Sequence, residues 1–281
     1  MKNNILILGG GYIGTHLNKA LNTSNTVTIL TKGEINYNKN YLLKKYLLYN
    51  SYDYVINCSG FCGKPNVDQA EVEKEKCWEL NVTGPTSVNS ICRDLSIPYI
   101  HVSSGCVYTG YDKLWTEKDT PNFGVFNNIS SFYSKSKHAY ELSNSDYGLT
   151  IRIRMPFDDD VTCNRSILYK LLKYNNIIDF RNSKTYIPDL CSFIQSYILQ
   201  QNNNNDIINF VNPDALFTKE VVDLLTEAGK INYKWNYVSM NDLDITAARS
   251  NCVLSTTKLK ENYNYTPLTE TAAIRKALNL H

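Results

Sequence analysis

The chain lacks both a long hydrophobic run and a strong imbalance of charge. Its 281 residues carry a formal net charge of +2 and are 43% hydrophobic. No apolar stretch reaches the roughly 20 residues that a membrane-spanning helix needs. A charge this close to neutral gives no bulk attraction to nucleic acid or to an anionic membrane. These absences argue against both partners and predict a soluble chain that is long enough to bury a substantial core.

Metal-binding and disulfide patterns are also missing. The eight cysteines are scattered without a Cys-x-x-Cys pair, and the four histidines lack metal-ligand spacing. We therefore predict no metal site. The N-terminus leads directly into a predicted strand with no leader pattern, so we expect reduced thiols and a cytoplasmic location.

The first motif is a glycine-rich loop between a predicted strand and a predicted helix. Residues 5–8 form an apolar run typical of a buried strand, and residues 9–14 read Gly-Gly-Gly-Tyr-Ile-Gly. Three of these glycines fit G-x-G-x-x-G, whose backbone can approach a pyrophosphate at a helix N-terminus. The predicted cofactor-binding residues of this loop are Gly9, Gly11, Tyr12, Ile13 and Gly14.

The end of the second predicted strand, residues 26–30, bears on the choice of dinucleotide. An acidic residue at this point would bind the ribose 2′-hydroxyl of NAD. The chain has Thr31 and Lys32 instead, with Glu34 further on. A hydroxyl and a cation suit a 2′-phosphate, so Lys32 favours NADPH. The alternatives are a solvated surface lysine and NADH.

A tyrosine and a lysine lie four positions apart in the helix predicted over residues 131–147. Tyr133 and Lys137 therefore share one helix face, where the ammonium can lower the pKa of the phenol from its usual value near ~10. The strand predicted over residues 99–103 delivers Ser104 to the same edge of a parallel sheet. We predict that Tyr133 exchanges a proton with a substrate oxygen to which Ser104 also hydrogen-bonds.

Strand and helix patterns alternate along the first half of the chain. Further strands are predicted over residues 54–58 and 149–154, and the segment 68–95 is predicted to be mainly helical. This β-α-β alternation predicts an α/β fold with a doubly wound parallel sheet and ligands beyond the carboxyl ends of its strands.

The pattern loosens after about residue 157. The elements expected there are helices over 165–174, 218–228 and 268–279, a strand over 207–211 and a polar surface loop over 201–205. We predict a dinucleotide-binding domain over residues 1–156 and a smaller substrate-binding lobe, mainly residues 157–281, that is interleaved with the sheet.

Together these features resemble the extended short-chain dehydrogenase/reductases, a Rossmann-type family that acts on nucleotide sugars. Residues 81–84, Asn-Val-Thr-Gly, match the Asn-x-x-Gly helix motif of that family and imply that Asn81 lies at the cofactor site. One departure is Leu8, which stands where the family usually has the first glycine of G-x-x-G-x-x-G. The resemblance covers nearly the whole chain and implies reduction of a ketone by NADPH.

Four segments narrow the resemblance to the plant-type nucleotide-rhamnose synthases, which are UDP-4-keto-6-deoxyglucose 3,5-epimerase/4-reductases. They are residues 63–68, 104–108, 152–156 and 249–254. Cys106 stands where the related GDP-fucose synthases have an epimerisation cysteine, and Lys170 matches its lysine partner in the rhamnose synthases. The substrate-binding residues inferred alongside this resemblance are Ser104, Gly105, Arg165 and Arg249.

The chemistry of such a substrate suits these residues. A C4 ketone acidifies the protons on C3 and C5, and inversion needs a base on one face of the sugar and a proton donor on the other. Cys106 and Lys170 can share that work, while Tyr133 and Ser104 hold the enolate oxygen. NADPH would then reduce C4. The product implied by the resemblance is UDP-L-rhamnose.

Several alternatives stay open. One alternative function is that of a 4-keto sugar reductase without epimerase activity, like the dTDP-4-dehydrorhamnose reductases. Another is that of a non-catalytic nucleotide-binding regulatory subunit. The alternative to a functional role is a buried thiol for Cys106, a solvated surface lysine for Lys170 and one half of a structural ion pair for Arg249. UDP and dTDP are not distinguished. Relatives suggest a homodimer, and because no acidic pair stands beside Ser104, we expect a separate 4,6-dehydratase to supply the keto sugar.

Overall fold

The computed structural model describes residues 2–37, 39–64, 66–231 and 234–280. The strands are β1 (Asn4–Leu8), β2 (Thr26–Leu30), β3 (Tyr54–Asn57), β4 (Tyr99–Ser104), β5 (Gly110–Trp115), β6 (Leu149–Ile153), β7 (Pro156–Phe157), β8 (Asn176–Ile177), β9 (Thr185–Tyr186), β10 (Asp206–Asn209), β11 (Asn236–Tyr237) and β12 (Cys252–Leu254). The α-helices are α1 (Tyr12–Leu21), α2 (Asn40–Tyr49), α3 (Gln69–Val72), α4 (Lys74–Trp78), α5 (Gly84–Asp94), α6 (Phe132–Ser143), α7 (Ile167–Lys173), α8 (Ile187–Leu199), α9 (Thr218–Glu227), α10 (Thr257–Tyr263) and α11 (Glu270–Ala277). A π-helical turn covers Glu79–Thr83 and a 3-10 turn covers Met240–Asp242.

Within the described residues, six parallel strands form the central sheet, in the order β10-β6-β4-β3-β1-β2. Strands β3, β4 and β6 are buried along their whole length, as expected for a parallel sheet that is covered on both faces. The order of winding reverses between β1 and β3. At such a reversal, loops leave the carboxyl ends of neighbouring strands in opposite directions and open a crevice.

The predicted α/β fold with a parallel sheet is confirmed. The strands predicted over residues 5–8, 26–30, 54–58, 99–103 and 149–154 match β1, β2, β3, β4 and β6 to within one residue at each end. The helix predicted over 131–147 is shorter than expected and ends at Ser143, since the backbone at Asn144 leaves the helical region. The strand expected over 207–211 begins at Asp206 and ends at Asn209, where the ladder with β6 stops.

The C-terminal half contributes both to the sheet and to a second hydrophobic core. Strand β10 closes one edge of the sheet, and α8 packs against α1 under it. The second core is built entirely from residues after 156, with Phe157, Leu168, Tyr186, Val221 and Ile274 among its members. The division at residue 156 remains a prediction. No described helix has the length and apolar character of a membrane span.

A buried ion pair fastens α11 to the segment before β9. The Lys184 Nζ lies 2.6 Å from Glu270 Oε1, and both side chains are almost fully buried. Glu270 also accepts hydrogen bonds from the backbone N–H groups of Lys184 and Leu216, each at 3.2 Å. Burial raises the pKa of Glu270, and the Lys184 ammonium opposes that rise.

We expect Lys184→Met to lower the free energy of unfolding by about 3–5 kcal/mol, because it leaves a buried carboxylate without its counter-ion. Urea unfolding measures this change. The matched control is Lys44→Met, which breaks the exposed ion pair with Asp94 at 3.2 Å and should cost less than about 1 kcal/mol. Equal effects of the two substitutions would contradict the role of the buried pair.

Candidate active site

The glycine loop forms a cradle at the carboxyl end of β1. Gly9 has a φ of +101°, and a Cβ at Gly14 would lie 2.0 Å from the Gly9 carbonyl oxygen, so neither position accepts a larger residue. A Cβ at Gly11 would meet no atom within 4 Å. Helix α1 begins directly after this open space and has no acidic residue in its first turn. An open backbone surface at a helix N-terminus fits the pyrophosphate of a dinucleotide.

Two residues of the predicted loop point into the protein. Ile13 and the Tyr12 ring pack against the main core, and burial followed by the charge of Asp158 raises the pKa of Tyr12. Asp158 also pairs with His16, with 2.6 Å between Oδ2 and Nε2. The side chains of Tyr12 and Ile13 therefore fix the start of α1, which leaves the backbone of this loop for a ligand.

The residues after β2 hold one another in place. Lys32 Nζ lies 2.8 Å from Glu79 Oε1 on the π-helical turn. Glu34 Oε2 accepts hydrogen bonds from the Thr31 N–H at 2.7 Å and the Thr31 hydroxyl at 2.8 Å. Lys32 thus remains at the strand end, as predicted for recognition of a 2′-phosphate, but it is paired with a carboxylate.

Ser104, Tyr133 and Lys137 come together beyond the end of β4. The Ser131 side chain caps α6 by accepting from the Ser134 N–H at 3.2 Å, which fixes Tyr133 in the first helical turn. Lys137 Nζ lies 5.9 Å from the centre of the Tyr133 ring, and the Ser104 side chain is near enough to Tyr133 to lower the pKa of the phenol. The structure therefore brings the three predicted catalytic side chains into one group.

The pKa of Tyr133 moves in the direction opposite to the sequence-based expectation. Burial raises it, the charges of nearby thiols at Cys106 and Cys62 raise it further, and the hydrogen bond with Ser104 lowers it. Burial also lowers the pKa of Lys137. Desolvation by burial is the largest cause, so the net shift of this phenol is away from neutrality, and the lowering by Lys137 stays a prediction.

Asn81 clamps the loop after β3 onto α6. Its Nδ2 donates to the Phe61 carbonyl at 2.8 Å and to the Ser136 hydroxyl at 3.0 Å, while its Oδ1 accepts from the Phe61 N–H at 2.8 Å. It lies on the π-helical turn, whose wider spacing turns the amide towards the loop. Asn81 therefore uses its polar atoms to position the residues around Lys137.

Arg154, a buried arginine, lies next to Cys106. In the sequence, this arginine stands out only as part of the segment 152–156. Arg154 is 1% exposed, and its Nη1 lies 3.8 Å from Cys106 Sγ and 3.2 Å from the Gly105 carbonyl oxygen. Its other hydrogen bonds go to Asn182 and Ser250. Gly105 is confined by the same side chain, since a Cβ there would lie 3.1 Å from Arg154 Cγ. A positive charge therefore underlies the predicted substrate-facing segment.

Lys170 lies on α7, and Arg165 lies in the segment just before that helix. Lys170 is half-buried, and burial lowers its pKa, while the charge of Cys62 raises it. Arg165 Nη1 lies 3.5 Å from Cys62 Sγ. Cys62 was not among the predicted site residues, because nothing in its local sequence separates it from the other scattered cysteines.

Arg249 is engaged by a carboxylate. Its Nη1 and Nη2 lie 2.8 Å and 3.0 Å from the two oxygens of Asp68, which also accepts from the Ala247 N–H at 2.8 Å. This bidentate pair lowers the pKa of Asp68. Arg249 was expected either to bind substrate or to form a structural ion pair, and the structure contains the ion pair. This pair joins the loop after β3 to the segment before β12.

The parallel sheet, the glycine cradle and the Ser104–Tyr133–Lys137 group together define an extended short-chain dehydrogenase/reductase. More particularly, the chain belongs to the family described as the RmlD substrate binding domain, whose model matches residues 1–280. The resemblance inferred from the sequence is thus confirmed at the level of the family.

Curated relatives carry related names. A bifunctional dTDP-4-dehydrorhamnose 3,5-epimerase/dTDP-4-dehydrorhamnose reductase of Arabidopsis thaliana is 32% identical over 222 residues, covering 75% of this chain and 71% of that protein. A trifunctional UDP-glucose 4,6-dehydratase/UDP-4-keto-6-deoxy-D-glucose 3,5-epimerase/UDP-4-keto-L-rhamnose-reductase of the same plant is 30% identical over 221 residues. That match covers 75% of this chain but 32% of the trifunctional protein, so the similarity spans about a third of its length.

Solved structures share the fold over its full length. The L780 UDP-rhamnose synthase of Acanthamoeba polyphaga mimivirus superposes with a TM-score of 0.88 at 24% identity, covering 99% of both chains. The dTDP-4-dehydrorhamnose reductase of Bacillus anthracis, solved in complex with NADP, superposes with a TM-score of 0.81 at 17% identity over 99% of both chains.

The pairing of His16 with Asp158 predicts a pH dependence. The hydrogen bond to Asp158 raises the pKa of His16. Because the folded-state pKa lies above the unfolded value of about 6.5, the stabilisation is complete below that pH and is lost as the pH rises through the folded pKa. Asp158→Asn should therefore lower the pKa of His16 in an NMR titration.

His138 serves as the internal reference for that titration. Burial lowers its pKa, so it should titrate below His16, and it should not respond to Asp158→Asn. A His16 pKa that is unchanged by the substitution would contradict the role given to Asp158.

Proposed function

We propose that this protein is an NADPH-dependent reductase of a 4-keto-6-deoxy nucleotide sugar with 3,5-epimerase activity, converting UDP-4-keto-6-deoxy-D-glucose to UDP-L-rhamnose. The observation that carries the proposal is the meeting of Ser104, Tyr133 and Lys137 with the Cys106 thiol, which lies 3.8 Å from a buried guanidinium. The names of the plant relatives support the same chemistry.

The glycine cradle, Lys137 and Lys32 are the residues that would hold NADP. When bound, this dinucleotide supplies the hydride that reduces C4 of the sugar. Lys32 would contribute its charge to the 2′-phosphate, and its present partner Glu79 would have to release it. The absence of a carboxylate directly after β2, where Thr31 stands, supports NADPH over NADH.

Tyr133 acts as the proton donor to the C4 oxygen. Its raised pKa keeps the phenol protonated at neutral pH, which is the form that an acid in a reduction requires. Ser104 binds the same oxygen. During epimerisation these two hydroxyls stabilise the enolate, so one ketone-binding site serves both reactions.

Cys106 and Lys170 move the protons on C3 and C5, as the resemblance implied. The buried Arg154 guanidinium stabilises negative charge at the Cys106 sulfur and at the neighbouring enolate. The lowered pKa of Lys170 eases release of its proton to carbon. A reductase without epimerase activity would need neither group, and a regulatory subunit would not need the intact Ser104–Tyr133–Lys137 group.

The remaining partners follow from the same chemistry. A separate 4,6-dehydratase supplies the keto sugar, so UDP-glucose itself should not be turned over by this chain. The protein works in the cytoplasm, where NADPH and nucleotide sugars are available, and assembles as a homodimer. The choice of UDP over dTDP rests on the resemblance to the rhamnose synthases.

Proton NMR of the protein with UDP-4-keto-6-deoxyglucose in deuterated water tests both activities. We expect deuterium at C3 and C5 without NADPH, and UDP-rhamnose only after NADPH is added. Cys106→Ala and Lys170→Ala should slow exchange far more than they slow reduction. NADPH oxidation without exchange would leave a reductase alone. No change under either condition would favour another nucleotide sugar as substrate or a regulatory subunit. Conversion of UDP-glucose would contradict the separate dehydratase.

Tyr133→Phe should lower kcat for 4-reduction by about 10²–10⁴-fold, because it removes the acid without changing the shape of the side chain. Stopped-flow oxidation of NADPH measures the loss. Tyr49→Phe is the matched control, since Tyr49 lies exposed at the end of α2, and it should leave kcat unaltered. A Tyr133→Phe enzyme as fast as the control would remove Tyr133 from the mechanism.

A further inference from the structure

We propose that Cys62 is a second proton-transfer thiol of the candidate active site and, alongside Cys106, a partner of Lys170 in epimerisation. The proposal rests on the epimerase activity proposed above. It assigns chemistry to a residue that the sequence analysis did not place in the site.

The backbone of the loop after β3 brings Cys62 to the catalytic group. A Cβ at Gly60 would lie 3.3 Å from Lys137 Nζ and 3.2 Å from Asn81 Oδ1, so the loop passes directly beside the lysine. Phe61 is then fixed through both its N–H and its carbonyl by the Asn81 amide. Cys62 follows the fixed residue, and its position is therefore set by the same clamp that positions Lys137.

The side chain of Cys62 is exposed rather than packed in the core. Arg165 Nη1 lies 3.5 Å from its sulfur and comes from the segment before α7, which is distant in the sequence. An arginine at this distance stabilises a thiolate through a charge-assisted hydrogen bond. Cys106 has the corresponding arrangement with Arg154 at 3.8 Å. The candidate active site thus contains two thiols, each next to a guanidinium.

Cys62 also links the two halves of the proposed mechanism electrostatically. When ionised, its sulfur raises the pKa of Tyr133 and of Lys137, as the ionised sulfur of Cys106 does. On Lys170, the charges that act are those of Cys62 and Arg165. Cys62 is therefore the thiol that interacts electrostatically with both the ketone-binding group and Lys170.

Other thiols of the chain do not offer this combination. Burial raises the pKa of each of them, which keeps them protonated and inert; they are Cys58, Cys77, Cys92, Cys191 and Cys252. Cys163 is half-buried in the segment that leads to α7, and it provides a control for the loss of a thiol in the same part of the molecule.

Proton transfer by this pair balances at every step. The Cys62 thiolate takes a proton from a carbon next to C4, and the electron pair of that C–H bond forms the carbon–carbon double bond of the enolate. The Lys170 ammonium then returns a proton to the opposite face, which leaves a thiol and a neutral amine. Transfer of the thiol proton to the amine restores both groups. With Cys106 as a further base, the two carbons that must be inverted each have a thiol.

The test uses Cys62→Ala in the full-length protein and follows deuterium entry into C3 and C5 separately, without NADPH. A second assay measures NADPH-dependent reduction of the already epimerised 4-keto sugar. We expect the ratio of exchange to reduction to fall about a hundredfold at C3 or C5. Arg165→Gln should lower the same ratio, because it removes the guanidinium next to the Cys62 sulfur. Cys163→Ala should leave both assays unaltered.

Each other outcome separates this proposal from the function on which it rests. Exchange in Cys62→Ala at the wild-type rate would overturn the role of Cys62 while the epimerase stands. Equal losses of exchange and reduction would show that Cys62 only maintains the loop, which also overturns it. Absence of exchange in the wild-type protein would reject the epimerase activity itself.

Discussion

The buried guanidinium of Arg154 holds together segments that are far apart in the sequence. It bonds to the Gly105 carbonyl after β4, to Asn182 before β9 and to Ser250 before β12. The acceptors in these bonds are neutral, although withdrawing a cation from water costs several kcal/mol unless a carboxylate compensates it. A further neighbour of the guanidinium is the Cys106 sulfur, at 3.8 Å, where the proposed reaction develops negative charge. The other parts of the site are arranged around this centre.

Loops from different strands reach that centre because the sheet is parallel. The carboxyl ends of β1, β3, β4 and β6 share one edge, so the glycine cradle, the loop with Cys62, and Ser104 arrive side by side. Asn81 then joins the loop after β3 to α6. The ion pair between Asp68 and Arg249 joins the same loop to the segment before β12. These contacts are polar and buried or partly buried, and they fix the loop without an apolar core of its own.

Much of this architecture could be predicted from the sequence, and the reason is burial on both faces of the strands. Residues 5–8 form an apolar run, as expected for a strand whose side chains face helices on either side. Helix α8 was missed because it begins with Ile-Pro and contains aromatic and β-branched residues, and most of its circumference is buried. The short helix α2 was missed because its buried face consists of Leu43 and Leu47, which lie among exposed tyrosines and lysines.

The Ser104–Tyr133–Lys137 group was predictable because it is a local spacing joined to a strand end. Cys62, Arg154 and the raised pKa of Tyr133 depend on contacts between distant segments and on desolvation, which no local pattern encodes.

The position of β10 at the edge of the sheet has a consequence for the order of events during synthesis. Its ladder partner β6 is complete by residue 153, but the covering strand emerges only with residues 206–209. Until then the nascent sheet has an open edge with unpaired backbone groups, and α8, which covers one face, is itself only just made. Folding of the sheet is therefore coupled to emergence of more than two-thirds of the chain from the ribosome, and a truncated product that stops earlier would expose a strand edge to association with other chains.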